Sequence, residues 1–207
     1  MRIEPLSGGA EPSALRLVLT LGLAGFLSGL IIVLAYHATR PAITAHQAEQ
    51  LRAAVFRVLP GTVRIRRMIH QDGTLIDSED ADREAVFAGY DADSRLVGYA
   101  IPAEGPGFQD TIRLLYGYLP AARTVNGMEV LDSRETPGLG DKIYKDAAFV
   151  ANFKNLKIDP AIVAVKKGRK AAPNEIDAIT GATISSKAVA RIINHANGAW
   201  AERLGAE

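Results

Sequence analysis

Apolar and polar residues divide the chain into three regimes: one long apolar run, a series of short alternating segments, and a final amphipathic stretch. The first, Leu17 to Tyr36 (LVLTLGLAGFLSGLIIVLAY), holds 20 residues without a charge, and Arg16 and Arg40 bracket it. At about 1.5 Å rise per residue, a helix of that length matches the ~30 Å hydrocarbon core of a bilayer. Gly22, Gly25 and Gly29 fall near one helical face, where small residues let a neighbouring helix come close. A cleaved signal peptide would carry a shorter apolar run, roughly 7–15 residues, with small residues just before the cut. Tyr36-His37-Ala38-Thr39-Arg40-Pro41 supplies no such site, so an uncleaved anchor is expected.

Beyond Pro41 the period changes. Leu51, Val55 and Leu59 recur at helical spacing and predict a helix over 45–59, which Pro60-Gly61 ends. Strands are then expected over 63–69, 85–90, 96–101, 111–119 and 124–131, with Asp91-Ala92-Asp93-Ser94 as a hairpin turn. A short helix is expected around 149–153 and a further strand over 161–165. Val189, Ile192, Ile193, Ala196, Trp200 and Leu204 line one side of a last helix over 184–204. Strands in a row with helices at the ends predict an α+β domain with an antiparallel sheet and flanking helices.

Composition narrows the chemistry. Hydrophobic residues make up 48% of the 207, enough for a real core in the soluble part. The 24 basic and 23 acidic residues nearly cancel, which gives no sign of a nucleic-acid binder. With no cysteine, disulfides, thiolate nucleophiles and Cys-ligated iron–sulfur clusters are excluded. His37, His46, His70 and His195 are not spaced as a helical metal pair, and no metal site is expected. A redox cofactor, if there is one, must be organic and held without sulfur. Charges on the two sides of the apolar run leave orientation open: Arg2 and Arg16 face Glu4 and Glu11 before it, and Arg40, Arg52 and Arg57 follow it.

The segment richest in chemistry is Asp177-Ala178-Ile179-Thr180-Gly181-Ala182-Thr183-Ile184-Ser185-Ser186. Hydroxyls recur at 180, 183, 185 and 186, small residues fill the middle, and a helix starts just after. Thr183 then sits at or beside a helix N-cap, where free N–H groups and the positive end of the dipole favour an anion. A plain cap after a glycine turn would look the same. Two further blocks accompany it: Glu135-Thr136-Pro137-Gly138-Leu139-Gly140 before Asp141-Lys142-Ile143, and Gly105-Pro106-Gly107-Phe108-Gln109-Asp110 before Leu114-Leu115-Tyr116-Gly117-Tyr118. Alone, each reads as a turn or a buried strand.

Together the blocks resemble the covalent FMN-binding domain found in the G subunit of Rnf electron-transport complexes, a relative of the C subunit of the sodium-translocating NADH:quinone reductase. The resemblance covers roughly residues 85–195, plus the plan of one N-terminal anchor. It implies that Thr183 bears FMN through a phosphoester made by a separate flavin transferase from FAD, because an oxygen ester needs a hydroxyl. It implies Thr180 and Ser185 as hydroxyls near the phosphate and Gly181 and Ala182 for close approach. Glu135, Thr136, Leu139 and Gly140 would line the ring. Lys142 stays open between a solvated surface cation and a partner for phosphate or ring carbonyls. The chain departs from many relatives at Ser133, where they carry histidine, and at Leu119, where they carry an acid.

The layout expected is a tail over 1–16, a transmembrane helix over 17–36, a linker helix and first strands over 37–84, the FMN-binding domain over 85–200 and a tail over 201–207. The function implied is an electron carrier within a six-subunit complex that moves electrons between ferredoxin and NAD while translocating sodium ions or protons. The soluble domain would face outward from the cytoplasmic membrane. The competing readings are the flavin subunit of the quinone reductase and a cofactor-free membrane-anchored scaffold or sensor.

Overall fold

The computed structural model describes residues 13–78, 80 and 83–204. Of the expected tails, residues 1–12 and 205–207 lie outside the described residues, whereas 14–16 and 201–204 are helical. The chain divides into two units, Met1–Ala48 and Glu49–Glu207.

Helix α1 runs unbroken over Ala14–Val58, so the two expected helices, 17–36 and 45–59, are one. Pro41 sits inside it. Proline withholds one N–H from the helical ladder, and the hydroxyls on either side turn back onto the backbone. Thr39 Oγ1 donates to the Ala35 carbonyl at 2.8 Å and Thr44 Oγ1 to the Pro41 carbonyl at 2.9 Å. The apolar stretch has a mean hydropathy of 2.5, none of it is buried, and it is long and apolar enough to cross a membrane.

The second unit is built on one antiparallel sheet. Its strands are β1 (Arg64–Gln71), β2 (Thr74–Asp77), β3 (Ala85–Tyr90), β4 (Leu96–Pro106), β5 (Thr111–Leu119), β6 (Thr124–Ser133) and, after α2 (Lys142–Lys145) and α3 (Ala147–Ala151), β7 (Leu156–Lys157). They lie in the order β2-β1-β3-β4-β5-β6-β7. The first strands, expected within the linker region, therefore belong to the same sheet as β3: Ile65 pairs with Gly89 and Arg67 with Phe87. A separate parallel pair, β8 (Val163–Val165) and β9 (Glu175–Asp177), leads into helix α4 (Thr183–Leu204).

Side-chain alternation sends the two faces of the sheet to two cores. On β5, Ile112, Leu114, Tyr116 and Tyr118 face the larger core, which α4 covers with Val189, Ile192, Ile193, Trp200 and Leu204. Leu115 faces the other way, where Ala54, Val55, Val58 and Leu59 at the end of α1 pack. Each of these large buried aliphatics contributes about 1.5–3 kcal/mol. On β6, Val125 and Met128 share a face although they are three apart, because the pairing shifts between Gly117/Tyr118. Such a bulge accommodates one extra residue.

On the side that packs against the end of α1 the sheet is scooped out. Gly89, Gly98, Gly117 and Gly127, one on each of β3 to β6, lie beneath Val58, Leu59 and Thr62. A Cβ on Gly117 would come within 2.2 Å of the Val58 carbonyl oxygen. The glycines thus let the helix end approach the strands at backbone distance. Arg57 fastens it further with two 2.6 Å hydrogen bonds to the Glu129 carboxylate on β6.

Candidate functional site

The four hydroxyls of the signature segment have different fates. Gly181, with φ +84°, turns the chain between β9 and α4. Ser186 is fully buried and ties that turn to the helix: its Oγ accepts from Ile179 N at 3.0 Å and donates to the Ala182 carbonyl at 2.9 Å. Ser185 is also buried and donates to Glu135 Oε2. Thr180 is exposed. Thr183 is exposed too, and its hydroxyl makes no hydrogen bond among the described residues.

Thr183 is therefore not the cap. The first α-helical backbone bond of α4 runs from Ser186 N to the Ala182 carbonyl, 3.0 Å, which puts buried Ala182 at the cap position and Thr183 first in the helix. The N–H groups of Thr183, Ile184 and Ser185 precede that bond and belong to the orphan donors of the helix start. They and the dipole end make the surroundings of Thr183 favourable to a negative charge. A residue with good capping chemistry placed where it caps nothing has its hydroxyl free for something else.

A cleft of about 330 Å³ opens beside it, lined by Phe108, Thr136, Leu139, Gly140, Gly181, Ala182, Thr183, Ile184 and Ser185. Three of these are large apolar side chains left in solvent: Phe108 is 63% exposed, Ile184 57% and Leu139 48%. Apolar surface gathered around a concavity with a few polar groups is the usual make-up of a small-molecule site.

The cleft is held by a buried carboxylate. Glu135 is only 5% exposed. Its Oε1 accepts from the backbone N–H groups of Phe108 at 2.9 Å and Gln109 at 3.0 Å, and its Oε2 accepts from Ser185. Burial pushes its pKa up, but the Ser185 hydroxyl and the loop N–H groups outweigh that and hold it below the ordinary carboxylate range. Nearby, Thr136 Oγ1 donates to Gln109 Oε1 at 2.9 Å, and Ser133 Oγ accepts from Glu135 N at 3.3 Å. Lys145 lies 2.6 Å from Asp141 and holds that carboxyl below its usual range, bracing the end of the same loop.

The fold and sequence both have relatives. Residues 107–197 match the model of the FMN-binding domain. The chain is 31% identical over 171 residues to the G subunit of the proton-translocating ferredoxin:NAD(+) oxidoreductase complex of Clostridium ljungdahlii, covering 83% of each chain. It is 34% identical over 179 residues to the G subunit of the ion-translocating oxidoreductase complex of Cereibacter sphaeroides, covering 85% of this chain and 79% of the relative. The chain belongs to the family of G subunits of ion-translocating oxidoreductase complexes. Its fold is shared more widely: the crystal structure of Shewanella oneidensis NqrC superposes with a TM-score of 0.67 at 18% identity, covering 79% of this chain and all of that one.

In this member of the family the cleft gathers Thr183, Gly181, Ala182, Ser185, Thr136, Leu139 and Gly140 from two segments far apart in sequence. Two expected residues are placed elsewhere. Thr180 lies outside the lining, and Glu135 sits behind it with both oxygens engaged. Glu135 is held back because Gly107 and Gly140 leave room for it: a Cβ on either would meet its carboxylate, at 2.4 Å and 2.6 Å. Lys142 is half-buried and does not line the cleft. Phe108 and Ile184 line the rim without having been singled out. Each looked like an ordinary apolar residue, and the exposure that marks it is visible only after folding.

The residues present suit FMN. Exposed apolar side chains would cover a flat ring, Gly181 keeps backbone low beside it, and the helix start offers N–H groups to a phosphate.

Proposed function

We propose that this chain is the membrane-anchored flavin subunit of an ion-translocating oxidoreductase complex and carries FMN esterified through its phosphate to Thr183. The observation behind the reading is the state of one hydroxyl. Thr183 is exposed, caps nothing and stands at a cleft with an apolar rim and a helix N-terminus in its lining. A threonine kept for a helix cap would have its oxygen on the N–H of a later residue.

The residues divide the work. Thr183 Oγ1 forms the bond to phosphorus; the pyrophosphate P–O bond of an FAD donor breaks, AMP departs, and the hydroxyl proton is released. A separate flavin transferase provides that reaction. The N–H groups of Thr183, Ile184 and Ser185 stabilise the remaining phosphodiester charge. Phe108, Leu139 and Ile184 cover the ring and limit water at it, with Thr136 and Gly140 on the adjoining loop. Bound FMN supplies one- and two-electron chemistry, and the protein orients it and tunes its potential.

α1 anchors the domain, with the domain on the extracytoplasmic side and the other membrane subunits of a six-subunit assembly as partners. In that setting electrons pass between ferredoxin and NAD while ions cross. A tether suits a carrier whose cleft has a solvent-exposed rim, since a cofactor held there would otherwise be lost.

The test is co-expression with a flavin transferase. Wild-type protein is expected to run as a fluorescent band on a denaturing gel and to gain the mass of one FMN residue, with the mass on the peptide that holds Thr183. Thr183→Val, isosteric but unable to form the ester, is expected to fold and remain colourless. Covalent flavin on the valine variant would place the attachment elsewhere.

A further inference from the structure

Three segments that meet at the cleft share a single side chain. The loop 107–110 closes on itself through Gly107 N to the Asp110 carbonyl, 2.9 Å. The loop 135–141 turns through Gly138 at φ +78°. The first turn of α4 carries Thr183. Glu135 begins the second segment, accepts two N–H groups from the first, and accepts the Ser185 hydroxyl from the third.

Its surroundings are shaped to this purpose. Gly107 and Gly140 flank the carboxylate so closely that a methyl group on either would displace it. A methyl group on Gly140 would also come within 3.1 Å of Ser185 Oγ, so one glycine makes room for both partners. Ser185 is two residues beyond Thr183 in the first turn of α4, and pinning it fixes the rotation of that turn. A charged acceptor with three donors is stronger and more directional than a neutral one. Its position at a helix N-terminus favours its negative charge.

We propose that Glu135 is the positioning residue for flavin attachment: by clamping Ser185 it holds the first turn of α4 so that the Thr183 hydroxyl faces the cleft. This rests on the reading of Thr183 as the attachment site. Glu135 does not line the cleft itself and makes no hydrogen bond to the reacting oxygen; it acts through Ser185, which does line it. Misplacing a reacting group by about 1 Å costs on the order of 100-fold in rate.

The experiment is in-vitro flavin transfer from FAD to the full-length, detergent-solubilised apo-protein by purified transferase, followed by intact mass against acceptor concentration. Melting curves are recorded for each variant. Glu135→Ala is expected to lower the rate at saturating acceptor by ~100-fold, and Ser185→Ala by ~10-fold or more, with KM within about two-fold. Glu135→Gln keeps an acceptor for the loop N–H groups and a hydrogen bond to Ser185, and is expected within ~3-fold of wild type. Folded Glu135→Ala and Ser185→Ala proteins that are modified at the wild-type rate overturn the clamp. So does a loss confined to KM or to the fraction of competent protein, which is the mark of lost folding. If Glu135→Ala does not fold, Ser185→Ala decides. A wild-type chain left unmodified at Thr183 overturns the attachment reading, and the clamp with it, whereas modified wild type with unaffected variants overturns the clamp alone.

Discussion

Replacing Gly117 by alanine tests the seating of the end of α1 on the sheet. The added methyl would stand 2.2 Å from the Val58 carbonyl oxygen, 2.9 Å from its carbonyl carbon and 3.0 Å from Leu59 Cδ2. Ordinary contact begins near 3.4 Å, so the shortest falls about 1.2 Å short. Two of the three atoms are backbone, and no rotamer change moves them. Overpacking of this kind costs typically about 1–3 kcal/mol, and this case belongs at the upper end. Glycine in a strand is itself less favourable than alanine by roughly 0.5–1 kcal/mol, which offsets part of the clash. The net expectation is about 2 kcal/mol of destabilisation. For a domain near 150 residues that lowers Tm by roughly 4–8 °C.

The assay is thermal and urea unfolding of the detergent-solubilised chain, with two comparisons built in. At Gly127 the nearest atom, Val58 Cα, is 3.1 Å away, so alanine there is expected to be nearly neutral. At Gly198 in α4 nothing lies within 4 Å, and alanine is expected to stabilise by up to ~1 kcal/mol through helix propensity. One substitution at three sites thus spans a loss, little change and a gain. Val58→Ala should not rescue Gly117→Ala, because the clash is with main chain. A Gly117→Ala protein as stable as wild type, or one rescued by Val58→Ala, would refute the seating.

Three further predictions follow from single contacts. Arg57 and Glu129 are joined by two 2.6 Å bonds, but the arginine side chain is 56% exposed; a double-mutant cycle to alanine should give a coupling of about 0.5–1 kcal/mol that shrinks in ~1 M salt, and a coupling above ~2 kcal/mol would contradict it. Trp200 is 1% exposed against the sheet; Trp200→Ala should cost about 3–5 kcal/mol by urea unfolding, and a loss below ~1 kcal/mol would remove α4 from the core. Glu135 has its folded pKa below its unfolded one, so its contribution is full above about pH 4.5 and fades as pH falls through the folded value. Glu135→Gln should accordingly be about 1–2 kcal/mol less stable at pH 7, with the gap closing in acid, and melting curves that stay parallel from pH 7 to ~3 would count against the charge.

Much of the fold was legible locally. β3 and β5 span the strands expected over 85–90 and 111–119, and α4 buries the apolar side read from its spacing. Those features depend on period, which a short window contains. The hairpin between β3 and β4 was legible for the same reason, since Asp91 and Arg95 close it within five residues. The short pieces, β2, α2, β7 and β9, have two to four residues each, too few to show a period.

The site divides in the same way. The signature segment, its helix and the glycine turn could be placed from neighbouring residues alone. Which hydroxyl stays free could not, because that depends on what arrives from elsewhere. Ser185 is claimed by a carboxylate 50 residues away, and Ser186 by its own turn, which leaves Thr183 uncommitted in the cleft. Glu135 looked like part of the lining because it opens the loop motif, yet contacts with Phe108 and Gln109 draw it behind the wall. The scooped face under Val58 was equally hidden, since four glycines on four strands form one groove only when the strands are side by side. Period and propensity are local properties of a chain, whereas the availability of a polar group depends on every partner that long-range packing brings to it.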